Sequence, residues 1–275
     1  MTSPLKRAIE QLSDDENPVC AYVYDLDELK RHAAWMVSLL PKNAELFYAA
    51  KANPEKRIIE TLSPIVAGFE AASGGELAWL HDTIPDKQLI FGGPGKLESE
   101  LQQALDTGVA AFHVESLTEL KRLAALTDRS NKTAQVFLRM NIPLQTVGLT
   151  KLAMGGKPSP FGIDPSELPD MLRLIYASNG LELEGFHFHL MSHQLCVDSH
   201  LELMKLYFKT FKQWCNQYQL ALPVLNVGGG MGIDYGPCEQ HFDWARFCRE
   251  LQLLIEDEGM ENTRLRFECG RFVTA

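Results

Sequence analysis

The stretch ELFYAAKANPEKRIIETLSPIVAGFEAAS (45–73) decides the fold. It reads as strand, helix and strand in succession. ELFYAAK (45–51) is a short apolar and aromatic run, and IVAGFEAAS (65–73) has the same character. Between them PEKRIIETL carries apolar residues at helical spacing, behind a proline (Pro54) of the kind that favours a first helical turn. Strands joined by a crossover helix pair in parallel.

The same unit recurs outward along the chain. Further strand patterns are QLIFGG (88–93), AAFHVES (110–116), AQVFLRMN (134–141), LEGFHFHL (183–190), VLNVGG (224–229) and RLRFECG (264–270). That makes eight, and the first five begin 20–24 residues apart. The intervening segments are helical in period. LESELQQALDTG stops at Gly108, Ser116 with Glu119 forms a capping-box pattern, and two long amphipathic stretches cover 200–218 and 243–257. Eight such units predict an α/β fold, an eight-stranded parallel β/α barrel of the TIM-like kind, with its chemistry at the C-terminal strand ends. A doubly wound open sheet is the alternative, since six of the strands would suffice for it. CAYVYD (20–25) reads as an extra strand before a helix over 26–40, so residues 1–40 lead into a barrel spanning 41–275. Residues 142–164, rich in Gly and Pro, break the rhythm as a long loop of the kind that is usually functional.

Composition narrows the function classes. With 26 Lys+Arg against 36 Asp+Glu the formal charge is −10, the wrong sign for a nucleic-acid surface. No apolar run approaches the roughly 20 residues that span a bilayer. The N-terminal MTSPLKRAIEQLSDDENP is charged where a signal peptide needs an apolar core, and the six cysteines form no CxxC pair. The expectation is a cytoplasmic domain without nucleic-acid or membrane partners.

The strand ends carry the polar residues. Lys51 follows an apolar strand, and reads either as a solvent lysine or as a Schiff-base lysine whose amine is freed by partial desolvation and neighbouring cations. LNVGGGMGIDYG (225–236) sets Gly228, Gly229 and Gly230 after strand seven, where barrels often bind phosphate, and Arg271 after strand eight would add a guanidinium. A tight turn without ligand is the alternative. FHFHLMSH (186–193) puts His187 and His189 on one face of a strand. A metal site is a weak rival there, because the other strand ends offer few further ligands, and no metal is expected. Glu268 reads as a salt-bridge partner of Arg266 or Arg271, or as a buried carboxylate that holds a pyridinium nitrogen protonated.

Taken together, these motifs resemble the barrel family of pyridoxal-phosphate enzymes that includes diaminopimelate and ornithine decarboxylases. The matching stretches are YAAKANP (48–54), FEAASGGELAWL (69–80), FHVESLTEL (112–120), FLRMN (137–141), SPFGI (159–163), GFHFHLMSH (185–193), LNVGGGMG (225–232) and FECGRF (267–272), in family order. The resemblance implies an alanine-racemase-type barrel, pyridoxal 5′-phosphate as cofactor, an amino-acid substrate and a homodimer. It implies that Lys51 carries the cofactor, that His189 stacks on its ring, and that Ser192, Gly228, Gly229, Gly230, Cys269, Gly270 and Arg271 lie around it. Ser192, Gly230 and Arg271 would hold the phosphate, Arg271 being also a candidate for the substrate carboxylate. Glu268 would pair with the ring nitrogen, while Glu70, Glu76 and Arg139 orient the lysine and ring oxygen. A glutamate at the ring nitrogen favours decarboxylation over racemisation, for which relatives use an arginine.

Three departures stand out. Cys269 replaces the family's proline in the strand-eight motif, and HLMSH (189–193) replaces the diaminopimelate-enzyme pattern His-Ile-Gly-Ser-Gln. The second change, with the helix that follows, is similar to a siderophore-assembly branch whose members decarboxylate an amino-acid unit, sometimes joined to citrate. Third, the sequence stops four residues after Arg271, and the expectation is a barrel without the family's C-terminal β-domain and the cysteine and acidic residues it supplies. The expectation is therefore a decarboxylase of a diamino acid or a siderophore intermediate. A cofactor-binding barrel without turnover and a racemase of the same family are the alternatives.

Overall fold

The computed structural model describes residues 4–12, 20–143, 159–236 and 241–275. Helices α1 (Pro4–Leu12) and α2 (Leu26–Leu39) precede the barrel. Then β1 (Ala44–Ala49) leads through a short 3-10 turn (Ala50–Ala52) to α3 (Lys56–Leu62), β2 (Gly68–Ala71), α4 (Gly74–Thr83) and β3 (Gln88–Phe91). There follow α5 (Glu98–Thr107), β4 (Ala111–Val114), α6 (Leu117–Ser130), β5 (Ala134–Arg139), α7 (Leu168–Ala177) and β6 (Leu181–His187). The series ends with α8 (Val197–Tyr218), β7 (Val224–Gly228), α9 (Trp244–Glu258), β8 (Arg264–Cys269) and α10 (Arg271–Thr274). The eight strands pair in parallel in chain order, and β8 closes on β1 with Phe47 opposite Glu268. Closure excludes the open doubly wound sheet.

Two apolar layers result from the period-two alternation of the strands. Leu46, Tyr48, Phe69, Phe112, Phe186 and Phe267 face the helices and join the main core, whereas Phe47, Ile90, Ala111, Phe137 and Val224 form a separate cluster inside the barrel. Aromatic rings fit there because glycines oppose them: a Cβ on Gly68 would lie 2.2 Å from the Phe47 ring, and one on Gly185 2.7 Å from Phe137. Arg266 plugs the same interior. Its guanidinium stands 4.5 Å from the Phe47 ring centroid and 5.3 Å from that of Phe137, and Nε donates to Glu45 at 2.7 Å.

Four expectations are adjusted. Residues 20–25 are unpaired coil with Tyr22 91% exposed, because a closed barrel offers no free edge for an added strand. Lys51 sits in the 3-10 turn instead of ending β1, and β6 ends at His187, so His189 lies in the loop beyond it. Ser116 caps α6 by accepting the Glu119 N–H at 3.2 Å, but the Glu119 carboxylate reaches back to Glu115 N at 2.9 Å, one residue short of a full capping box. Ser73 and Glu76 repeat this arrangement at α4, where the Glu76 carboxylate accepts from Ala72 N at 2.7 Å. Of the loop expected over 142–164, residues 144–158 lie outside the described ones.

Candidate active site

At the C-terminal end of the barrel the inward positions of the strands change from apolar to ionisable. A cleft of about 490 Å³ opens there, lined by Lys51, Glu70, His113, Arg139, His187 and Glu268 on its floor and by Ser192, Gly230, Gly270 and Arg271 towards β7 and β8. The cleft at the opposite rim is lined by Lys42, Glu45, Glu184 and Glu261 among others.

Lys51 projects into the cleft with its Nζ donating to both Glu70 oxygens, at 2.9 and 3.2 Å. Burial pulls the ammonium down, but the charge and hydrogen bonds of Glu70 outweigh it and hold the pKa above the ordinary lysine value. The expected lowering is thus reversed, because a carboxylate, not a cation, is the lysine's nearest charged neighbour. Across the floor, Glu268 is 7% exposed. Burial first, and then the Glu70 charge, push its pKa up to about 7. Asn226 Nδ2 donates to its Oε1 at 2.8 Å. His187 Nε2 lies 3.5 Å from Oε2, and neither His187 ring nitrogen has a hydrogen-bond partner among the described residues. Burial, followed by the neighbouring His113 and Arg139, holds His187 well below the usual imidazole range. The same first cause, with Arg139 and Lys51, lowers His189.

Arg139, at the end of β5, is fixed by Glu115 at 2.8 Å, and the other Glu115 oxygen accepts Gly162 N–H at 3.1 Å. The Phe161 ring covers the guanidinium, 4.9 Å away. Behind this wall Lys96, buried, pairs with Glu119 at 2.7 Å and donates to His113 O at 2.8 Å.

Several expected site residues do other work. Gly228 N–H is taken by Asn226 Oδ1 at 2.9 Å and Gly229 N–H by His189 Nδ1 at 3.1 Å, so these two glycines aim side chains and only Gly230 of the three lines the cleft. Glu76 closes the turn before α4, as described above, away from the cleft lining. Cys269 points outward from β8 into the core, its Sγ 3.8 Å from Met231 Sδ. The alternation of β8 explains this: with Glu268 inward, Cys269 must face out. Asn226 and Glu115 were not assigned roles from the sequence. The signal for Asn226 was a carboxamide in the middle of an apolar strand.

The cleft fits a pyridoxal group. It sets one amine beside an acidic partner, a buried carboxyl of raised pKa on the floor, a buried imidazole unpartnered among the described residues, and a serine and an arginine towards β7 and β8. Comparison with known families agrees. Residues 26–275 match the pyridoxal-binding domain of the pyridoxal-dependent decarboxylases, and the chain belongs to this family. Its cofactor is pyridoxal phosphate. Over 267 residues it is 42% identical to 2-[(L-alanin-3-ylcarbamoyl)methyl]-2-hydroxybutanedioate decarboxylase of Staphylococcus aureus, covering 97% of this chain and 66% of that protein. It is 30% identical to a diaminopimelate decarboxylase of Aquifex aeolicus, over 78% of this chain and 51% of the other. The chain therefore spans between half and just under two thirds of these relatives. In fold it is similar to the crystal structure of diaminopimelate decarboxylase from Helicobacter pylori complexed with L-lysine, with a TM-score of 0.81 at 24% identity, covering 97% of this chain and 66% of that one. Among the described residues no helix is long and apolar enough to cross a membrane.

Proposed function

We propose that this chain is the cofactor-binding barrel of a decarboxylase that removes the α-carboxylate of an amino acid. The substrate class we favour is the one named for the Staphylococcus aureus relative, a diamino acid joined to citrate through an amide, as used in siderophore assembly. The observation that carries the reaction class is the buried carboxyl of Glu268 on the cleft floor, opposite Lys51. When bound, the pyridoxal group acts as an electron sink for the pair of electrons left when carbon dioxide departs. A carboxylate beside the ring nitrogen keeps that sink strong, whereas a cation in the same place, as in racemases of this fold, would weaken it.

The chain's own residues would divide the work. Lys51 would hold the cofactor until a substrate amine takes its place, and Glu70 would accept hydrogen bonds from the lysine nitrogen so freed. His189, fixed by Gly229 N–H, would cover the ring face. Ser192, Gly230, Gly270 and Arg271 would hold the phosphate, and Arg271, exposed at the rim, could also meet a substrate carboxylate. Arg139, braced by Glu115, faces the lysine side. We place the protein in the cytoplasm and as a homodimer, by analogy with the family.

Carbon dioxide release tests the reaction. The chain, supplied with pyridoxal phosphate, is offered the citrate-linked diamino acid, diaminopimelate, ornithine and lysine. Release from the first, with a visible cofactor band that Lys51→Ala abolishes, supports the reading. A cofactor band with no release from any of them favours a binding barrel without turnover. Loss of optical activity without release would assign a racemase.

A further inference from the structure

Asn226 lies fully buried in the upper interior of the barrel, between β6 and β8. Its side-chain oxygen accepts the Gly228 N–H at 2.9 Å. A backbone N–H can only donate, so this contact fixes which end of the carboxamide is oxygen. Nδ2 therefore faces the other way, 2.8 Å from Glu268 Oε1 and 3.2 Å from His113 Nε2. Nδ2 carries two protons and no lone pair to accept with, so His113 Nε2 must present its own lone pair. A neutral imidazole has one N–H, which places the proton of His113 on Nδ1. That nitrogen has no hydrogen-bond partner among the described residues and stands 3.5 Å from Glu268 Oε1.

The charges around His113 keep it neutral. Burial acts first, and Arg266 on β8, Lys96 after β3, Arg139 on β5 and Lys51 after β1 all oppose a further positive charge. His187 on β6, its ring centroid 4.2 Å away, is held neutral as well; Glu268 faces the ring at 3.5 Å, and Glu70 on β2 approaches it beside Gly92. His113, His187 and Glu268 also have ligand atoms within 4.8 Å of one another. An ion held there with Glu268 would need the Nδ1 lone pair, which the Asn226 contact assigns to a proton, and would face four cations.

We propose that His113 is a positioning residue: held by Asn226 as its Nδ1–H tautomer, it directs a second proton towards Glu268 Oε1 and limits how far burial raises that carboxyl. The backbone N–H of Gly228 thereby orients, through two side chains, a proton aimed at the acid on the cleft floor. This rests on the proposed function only for its consequence, since an ionised Glu268 is what a protonated ring nitrogen requires.

Nuclear magnetic resonance of the cofactor-free chain tests it without reference to turnover. Long-range nitrogen–proton spectra of histidine-labelled protein report the tautomer, with His113 assigned from the signal lost in His113→Asn. The expected result is a protonated Nδ1 and a bare Nε2; a proton on Nε2, or on both, overturns the proposal. Carboxyl carbon spectra, with Glu268 assigned through Glu268→Gln, then follow its titration. His113→Leu should raise the midpoint by about one pH unit, the effect of losing a donor to a charged group, and His113→Asn, which restores an N–H, should reverse most of the rise. An unchanged midpoint in the leucine variant overturns the role. If that variant does not fold, the wild-type tautomer decides alone. Failure to release carbon dioxide would reject the proposed function and leave the tautomer standing.

Discussion

Lys51 Nζ and the Glu70 carboxylate are held together at 2.9 and 3.2 Å, with Glu70 only 4% exposed and the lysine open to the cleft. The pair stores the lysine as an ammonium, which cannot attack a carbonyl until it loses a proton. Removing the acid leaves burial and Arg139, which lower the lysine, opposed by the weaker pull of the Glu268 charge. Glu70→Gln should therefore move the pH midpoint for reaction of Lys51 with an amine reagent downward, by about one unit or more if one charge-assisted contact is lost. The same change removes a charge that raises Glu268, so that carboxyl should titrate lower as well. Rates of amine acylation at Lys51, followed by peptide mass analysis across pH, would check the first shift. A midpoint that rises or stays fixed would contradict it.

Arg139 and Glu115 pose a stability question. Both are buried, their contact is 2.8 Å, and the second carboxylate oxygen pins Gly162 of the loop after β5. Breaking a buried ion pair from one side leaves an uncompensated charge and costs about 3–5 kcal/mol. Glu115→Ala should fall in that range by urea unfolding. Replacement of both residues by apolar ones should cost less than Glu115→Ala alone, because no charge is then stranded. Equal losses in the single and double variants would show that the pair acts through packing.

The barrel was legible because its signal is repeated eight times, and the floor of the cleft because strand ends carry polar residues that no core would tolerate. Lys51, His187 and Glu268 were read from strand-end position, while Glu70 and Arg139 entered through the family resemblance. Parity along β8 would also have excluded Cys269, since its neighbour Glu268 was assigned inward. What the sequence did not disclose is who pairs with whom. Lys96 and Glu119 are 23 residues apart and meet at 2.7 Å beside His113 of β4, a contact that depends on how the loop after β3 is placed against the first turn of α6. The run Gly228-Gly229-Gly230 looked like one anion cradle. Two of its N–H groups instead serve Asn226 and His189, a division set by local backbone geometry that composition does not encode.

Gly229 can be tested directly. A Cβ at this position would lie 2.1 Å from Glu268 O, so β7 and β8 must part to admit it. Gly229→Ala should destabilise by about 1–3 kcal/mol, the usual cost of overpacking, and should also release His189 from its N–H donor. Denaturation and cofactor affinity are expected to fall together. An alanine variant with wild-type stability would mean that the strand ends yield easily.

His200 sets the acid limit of the fold. On α8 it is 1% exposed, both ring nitrogens lack partners among the described residues, and Phe242 and Phe247 stand edge-on at 5.5 and 5.1 Å. Burial alone pushes its pKa down to about 4, from an ordinary value of 6.5. In the unfolded chain the ring takes up a proton as pH falls below 6.5, while in the folded chain it stays neutral until about 4. The unfolded state therefore binds the extra proton throughout this window, and stability is lost as pH falls across it, by up to about 1.4 kcal/mol per pH unit for one group. His113, His187 and His189 shift the same way and add to the slope. His200→Phe removes one titrating site and no hydrogen bond. Urea unfolding at pH 7 and pH 5 should show wild type losing more stability than the variant, with the gap opening below pH 6.5. Parallel losses in the two proteins would mean that His200 is already solvated or protonated in the folded state.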